Sequence, residues 1–256
     1  MLEAVIFDVD GTLANTEEAH RQAFNATFQE FGLPWDWDPA LYRRLLAVAG
    51  GRERIHHYCQ SAAPQWLEAP DAEARIAALH RRKTERYAEM VASGSIAPRP
   101  GVRRLIEELH GAGIRLAIAT TTSLANVASL LEGSLRGLPG DTFEVIGAGE
   151  HAADKKPSPA IYEWVLARLA LPAERCLAIE DSQNGVRAAR GADLATLVTE
   201  SCWSRGDDFS GSLAVLSDLG EPDAPFRLLA GTLPGGADAR GWVDRDLLTR
   251  WHASTA

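Results

Sequence analysis

The sequence predicts an α/β fold: a parallel sheet with helices on both faces and an all-helical unit set into it. Three observations point there. First, short apolar runs recur, and each leads into polar residues: Ala4–Phe7 into Asp8, 116–119 into Thr120, 145–146 into Gly147-Ala148-Gly149-Glu150, 177–179 into Glu180-Asp181, and 195–198 into Thr199. Second, helical spacing separates the later runs, with Val102, Leu105, Ile106 and Leu109 on one stripe and Ile161, Val165, Leu166 and Leu169 on another. Alternation of this kind builds parallel sheets. Third, residues 16–94 break the alternation and read as helices only. Ala23, Phe24, Thr27, Phe28 and Phe31 form one apolar stripe there, and Ile76, Leu79, Lys83, Tyr87 and Met90 a second.

The elements group into a core over 1–15 and 97–219, an inserted helical cap over 16–96, and an extension over 220–256. Pro98-Arg99-Pro100-Gly101 reads as a stiff boundary. Trp35 and Trp37, in Pro34-Trp35-Asp36-Trp37-Asp38-Pro39, read as loop packing rather than a ligand platform. The chain beyond Gly220, rich in Gly and Pro and ending with Trp242 and Trp251, reads as a peripheral tail that packs on the core or is partly disordered.

Bulk properties narrow the function. The chain has 256 residues, 46% of them hydrophobic, enough for a large core. A net charge of -9, a pI near 5.3 and the absence of a dense Lys/Arg run argue against nucleic acid. No apolar stretch approaches a membrane span. Cys59, Cys176 and Cys202 are widely spaced and odd in number, which predicts reduced thiols in a cytoplasmic setting.

The chemistry concentrates at the ends of the apolar runs. Asp8 and Asp10 in Val5-Ile6-Phe7-Asp8-Val9-Asp10-Gly11-Thr12 sit two apart where a strand stops. Carboxylates so spaced can share a metal and still divide the roles of nucleophile and proton carrier. Thr120, with Thr121, Thr122 and Ser123, offers hydroxyls and amides to phosphate oxygens, although such residues at a helix start are usually caps. Lys156 before Pro157 suits the first turn of a helix, from which an ammonium can neutralise a phosphoryl group. Glu180-Asp181 invites a divalent ion, Mg²⁺ by donor type, with an N-cap at Asp181 as the competing reading. All of these would share the carboxyl edge of one sheet, where ligands of such sheets bind.

The order Asp-x-Asp-Gly-Thr, Thr, Lys-Pro, Glu-Asp resembles the haloacid dehalogenase superfamily of phosphohydrolases over residues 2–217. The resemblance implies a Rossmann-like core with a cap after the first strand. It implies Asp8 as nucleophile and Asp10 as general acid/base, with Thr120 and Lys156 orienting phosphate. It places Mg²⁺ on Asp8, the Asp10 backbone carbonyl and Asp181, with Glu180 in support. Asp10 must then begin protonated, a state that cap closure could favour.

Within the superfamily the cap motifs resemble the CbbY group, which removes phosphate from xylulose-1,5-bisphosphate, an inhibitory by-product of Rubisco. The likeness implies a small phosphosugar as the partner of a monomer. It implies substrate contacts from Glu17, His20, Gly50, Gly51, Arg52, Glu53, Arg54, His80, Lys83, Thr121, Thr122 and Ser123. Lys83 lies on an apolar stripe, so it should face inward, and a buried ammonium needs an anion. Arg52, Arg54 and Lys83 would receive the second phosphate. The tail beyond Gly220 departs from the usual end of that group. A β-phosphoglucomutase shares core and cap and is the alternative, and a phosphosugar-binding regulator with a silent site is a further one. A hydrolytic dehalogenase would need neither Asp10 nor the Glu180-Asp181 pair.

Overall fold

The computed structural model describes residues 1–92, 96–234 and 241–254, so residues 93–95 of the expected cap and 235–240 and 255–256 of the expected extension lie outside the described residues. Seven strands form one sheet: β1 (Ala4–Phe7), β2 (Arg115–Ala119), β3 (Val145–Gly147), β4 (Cys176–Glu180), β5 (Ala195–Thr199), β6 (Ala214–Leu216) and β7 (Leu228–Gly231), in the order β3-β2-β1-β4-β5-β6-β7. All neighbours are parallel except β6 and β7. β1 is central, with Phe7 level with Ile118 of β2 and Ile179 of β4. Every β1 side chain is buried, and the faces alternate as a two-residue period requires. Val5 and Phe7 join one core cluster, Ala4 and Ile6 the other.

Between β1 and the second half of the core lie α1 (Glu17–Glu30), α2 (Pro39–Leu45), α3 (Gly51–Ala62) and α4 (Ala72–Ala92). They enclose an aromatic core of their own, where Trp35 and Trp37 pack with Phe24, Phe28 and Tyr42 as the sequence predicts. Phe31 is the exception on its stripe, exposed just past the last turn of α1. The core helices are α5 (Val102–Gly111), α6 (Leu124–Gly133), α7 (Ala160–Leu169) and α8 (Gln183–Gly191).

The described residues beyond Gly220 pack on the core, one of the two states open to this stretch. β7 extends the sheet, and α9 (Arg245–Ala253) packs on α5 with Leu247, Leu248 and Trp251 buried in the main core. Arg104 of α5 binds this segment through the carbonyls of Gly220 and Val243 and the Glu221 carboxylate, at 2.9, 3.0 and 3.1 Å. One expectation needs correction: Lys156-Pro157 does not begin a helix. α7 starts three residues later at Ala160, and Lys156 sits in the preceding turn.

Candidate active site

The parallel register brings the ends of β1, β2 and β4 level, so Asp8, Thr120 and Glu180-Asp181 lie on one edge, all buried. The Lys156 ammonium reaches them from its turn. Its Nζ donates to Asp8 Oδ1 at 2.6 Å, Glu180 Oε1 at 2.5 Å and the Ala119 carbonyl at 2.9 Å. Tyr162 OH of α7 donates to the same Glu180 oxygen at 2.6 Å. The α8 cap is Ser182, whose hydroxyl accepts from Gly185 N at 3.1 Å, so Asp181 is free of capping duty and turns into the cleft. Ser123 caps α6, as the ordinary reading of that residue predicts.

Oxygens of Asp8, Glu180 and Asp181 lie within 4.8 Å of one another. Burial pushes Asp8 up to about 8, against the pull of Lys156 and with added repulsion from Glu180. Burial likewise raises Asp181 well above the usual carboxylate range, and Asp8 and Glu180 add to it. Burial alone would lower the Lys156 pKa, but the two carboxylates outweigh it and keep the ammonium charged. Ionising all three carboxylates against one ammonium would leave uncompensated negative charge in a buried place, which is why burial and mutual repulsion favour the protonated forms of Asp8 and Asp181 here. A divalent cation on hard oxygen donors supplies what is missing, so the donor set fits one. Two glycines make room for the cluster: a Cβ on Gly11, which holds a positive φ of 83°, would collide with Asp181, and one on Gly185 with Glu180.

Asp10 faces the other way. Its Oδ1 accepts from Thr16 Oγ1 at 2.5 Å and lies 3.0 Å from His20 Nε2, leaving its carboxylate outside the acid cluster. His20 Nδ1 is 2.6 Å from Lys83 Nζ, and the ring stacks on Tyr87. Burial alone would raise Asp10, but His20 and the Thr16 hydroxyl overcome it and hold the group at about 2. These contacts favour the ionised form of Asp10, so the protonated start expected of it requires that they be released. Burial lowers Lys83 to about 7. Lys83 faces inward as its stripe predicts, but its nearest partner is an imidazole and not a carboxylate.

Core and cap enclose a cleft of about 670 Å³, lined by every site residue the sequence singles out except Glu180, which lies behind it. The cap cations differ sharply within it. Arg54 is buried and donates to Tyr42 OH at 2.9 Å and to the Leu45 and Val48 carbonyls at 3.3 Å each, so it braces α2 against α3. Arg52 is half exposed and pairs with Glu73 at 2.6 Å. Glu53 folds back on Gly50, where a Cβ would collide with it, and Gly51 lies as tightly against His80. Glu17 accepts from Tyr42 OH at 2.7 Å. Arg52, Arg54 and Lys83, expected to receive the second phosphate, therefore sit in three different settings: an exposed ion pair, a tyrosine hydroxyl with backbone carbonyls, and an imidazole.

Sequence reading missed Asn126. It is 5% exposed, lines the cleft and donates to Thr122 Oγ1 at 2.8 Å, while its Oδ1 has no partner among the described residues. A buried amide oxygen without a donor calls for one from a ligand or a water. The available signal was its position three residues after the Ser123 cap, which returns it to the same helix end.

A parallel sheet with a helical cap over a buried acid cluster and one lysine is the architecture of a phosphate-ester hydrolase. The family model for haloacid dehalogenase-like hydrolases matches residues 2–193. The plasmid CbbY protein of Cupriavidus necator is 48% identical over 254 residues, which span 99% of this chain and 98% of that protein. The crystal structure of a CbbY variant from Rhodobacter sphaeroides in complex with xylulose-(1,5)bisphosphate is 47% identical, with a TM-score of 0.79 over 85% of this chain and 95% of that one. A β-phosphoglucomutase from Clostridium difficile, 18% identical, shares the fold with a TM-score of 0.73 over 100% of this chain and 99% of that one. The chain belongs to the haloacid dehalogenase-like hydrolases, in their CbbY group, and is an enzyme of the phosphatase type. The match to the Cupriavidus necator protein runs through the segment beyond Gly220, so that relative shares it, whereas the CbbY proteins of Cereibacter sphaeroides and Rhodobacter capsulatus match only 86% and 85% of this chain over 94% of their own length.

Proposed function

We propose that this chain hydrolyses xylulose-1,5-bisphosphate to xylulose 5-phosphate and inorganic phosphate, with Mg²⁺ on Asp8, Asp181 and the Asp10 carbonyl and Glu180 behind them. The observation that carries the reading is the single cleft with the Asp8–Lys156 cluster at its floor and cap cations above it. A sugar bisphosphate has two anions to match those two ends. The relative crystallised with that sugar, nearly half identical in sequence, supports the choice. Removal of a Rubisco inhibitor in the cytoplasm, by a monomer, is the biological role that follows.

Asp8 attacks phosphorus, and the bond from phosphorus to the sugar oxygen breaks as the aspartyl phosphate forms. Asp10 gives its proton to the departing oxygen, then takes one from the water that cleaves the aspartyl phosphate. For the first step Asp10 must leave Thr16 and His20, which here favour its ionised form. Thr120 and Lys156 hold the phosphoryl oxygens in line. When bound, Mg²⁺ screens the repulsion between the anionic nucleophile and phosphate. Arg52 is the cap cation free to change partner, since an exposed ion pair is worth only about 0–1 kcal/mol.

The test compares kcat/KM for xylulose-1,5-bisphosphate, ribulose-1,5-bisphosphate and β-glucose 1-phosphate, with Mg²⁺ present and chelated. Preference for the first sugar, lost on chelation, supports the reading. Faster isomerisation of glucose 1-phosphate than hydrolysis of any sugar would transfer the chain to the mutase reading. Binding of phosphosugars with no phosphate release would leave it a regulator.

A further inference from the structure

Both connections between core and cap pass through one point. Ala14 bridges to Pro98, and Arg99 N donates to the Leu13 carbonyl at 2.9 Å. Leu219 N donates to the Pro100 carbonyl at 3.2 Å, and Gly101 N to Glu221 Oε1 at 2.9 Å. At the centre lies the Arg99 side chain, 6% exposed. Among the described residues it has no carboxylate in contact. Instead its Nη1 donates to the Gly11 carbonyl, and to the Thr199 carbonyl at 2.8 Å and hydroxyl at 3.2 Å. Its Nη2 donates to the carbonyls of Glu200 at 2.8 Å and Ser217 at 2.6 Å.

A buried charge with no ion pair is costly, and an apolar side chain would fill the same space more cheaply. The charge must therefore serve something nearby. Gly11 is the link. One side of it lies so close to the Asp181 carboxylate that no Cβ fits, and its carbonyl is held by Arg99. The guanidinium thus clamps the loop that carries Asp8 and Asp10 against the acid on β4, with the ends of β5 and β6 as its fixed support.

We propose that Arg99 is a positioning residue that presses the Gly11 loop onto Asp181 and so sets the affinity of the acid cluster for a divalent cation. This rests on the reading of Asp8, Glu180 and Asp181 as a divalent-ion site. The test is Mn²⁺ binding to the whole chain without substrate, followed by calorimetry and by the Mn²⁺ spin resonance signal. The samples are wild type, Arg99→Met, Arg99→Lys and Asp181→Asn, with thermal unfolding in chelator as the check on folding. The expected result is Mn²⁺ affinity lowered about tenfold or more in Arg99→Met, the range for residues that orient a metal ligand. Arg99→Lys should fall between Met and wild type, and the Mg²⁺ activation constant should rise in the same order, by more than kcat falls. If wild type binds Mn²⁺ no better than Asp181→Asn, the divalent-ion reading itself fails. If wild type binds and both folded Arg99 variants bind equally well, the clamp is wrong and any lost activity has another cause. If Arg99→Met does not fold, Arg99→Lys decides; if neither folds, Arg99 only holds the fold together and the proposal falls.

Discussion

The floor and the roof of the cleft are both polar, yet they are built on opposite principles. On the floor, Lys156 is shared between Asp8 and Glu180, Tyr162 completes Glu180, and each group sits at a strand end or in a turn packed against one. Exchange of any partner there leaves a buried charge unpaired, which costs several kcal/mol. On the roof, Arg52 holds an exposed glutamate, and His20 and Lys83 hold each other with pKa values lowered by burial. Those contacts can be traded for a ligand. The contrast separates fixed groups suited to reaction from movable groups suited to recognition.

The largest effect should come from the floor. Asp8→Asn cannot form an acyl phosphate, so turnover should fall by at least about 10⁴-fold in a phosphate-release assay. Near-native activity would show that the floor does not supply the nucleophile. Asp181→Ala should come next: the Mg²⁺ concentration for half-maximal rate should rise about tenfold or more. An unchanged titration curve would remove Asp181 from the ion's ligands. On the roof, Arg52→Ala should lower kcat/KM for a sugar bisphosphate about 10- to 150-fold, the equivalent of one charge-assisted contact at about 1.5–3 kcal/mol. A sugar monophosphate should be almost unaffected, and an equal loss for both would erase the division between floor and roof. The smallest effect should be on folding: Arg52→Ala should change stability by less than about 1 kcal/mol, whereas Arg54→Met should cost more by stranding buried carbonyls. Equal midpoints in thermal unfolding would contradict the assignment of Arg54 as a brace.

The floor was legible because its residues are tied to strand ends by chain position. Asp8, Thr120 and Glu180-Asp181 each follow an apolar run, and register does the rest. The roof was legible only in part. Lys83 could be placed inward because it interrupts an apolar stripe, but nothing in the sequence marks carbonyls of Leu45 and Val48 as partners of Arg54. Backbone acceptors have no residue identity, and the same holds for Arg99, whose partners are mostly carbonyls. β6 and β7 escaped for another reason. β6 is three residues long, and β7, although apolar, is an exposed edge of four that ends in a glycine within a stretch rich in Gly and Pro.

The central position of β1 also bears on the order of events at the ribosome. The strand that ends at Asp8 is stabilised by two neighbours, one beginning at Arg115 and the other at Cys176. At roughly 5–20 residues per second, Asp181 is synthesised roughly 10–35 seconds after Asp8. During that interval the first strand has no completed sheet to enter, and Asp8 lacks the Glu180 and Asp181 beside which it is later buried. The acid cluster is therefore assembled late, when the fourth strand docks beside the first, and an unfinished chain carries the signature residues without the cluster.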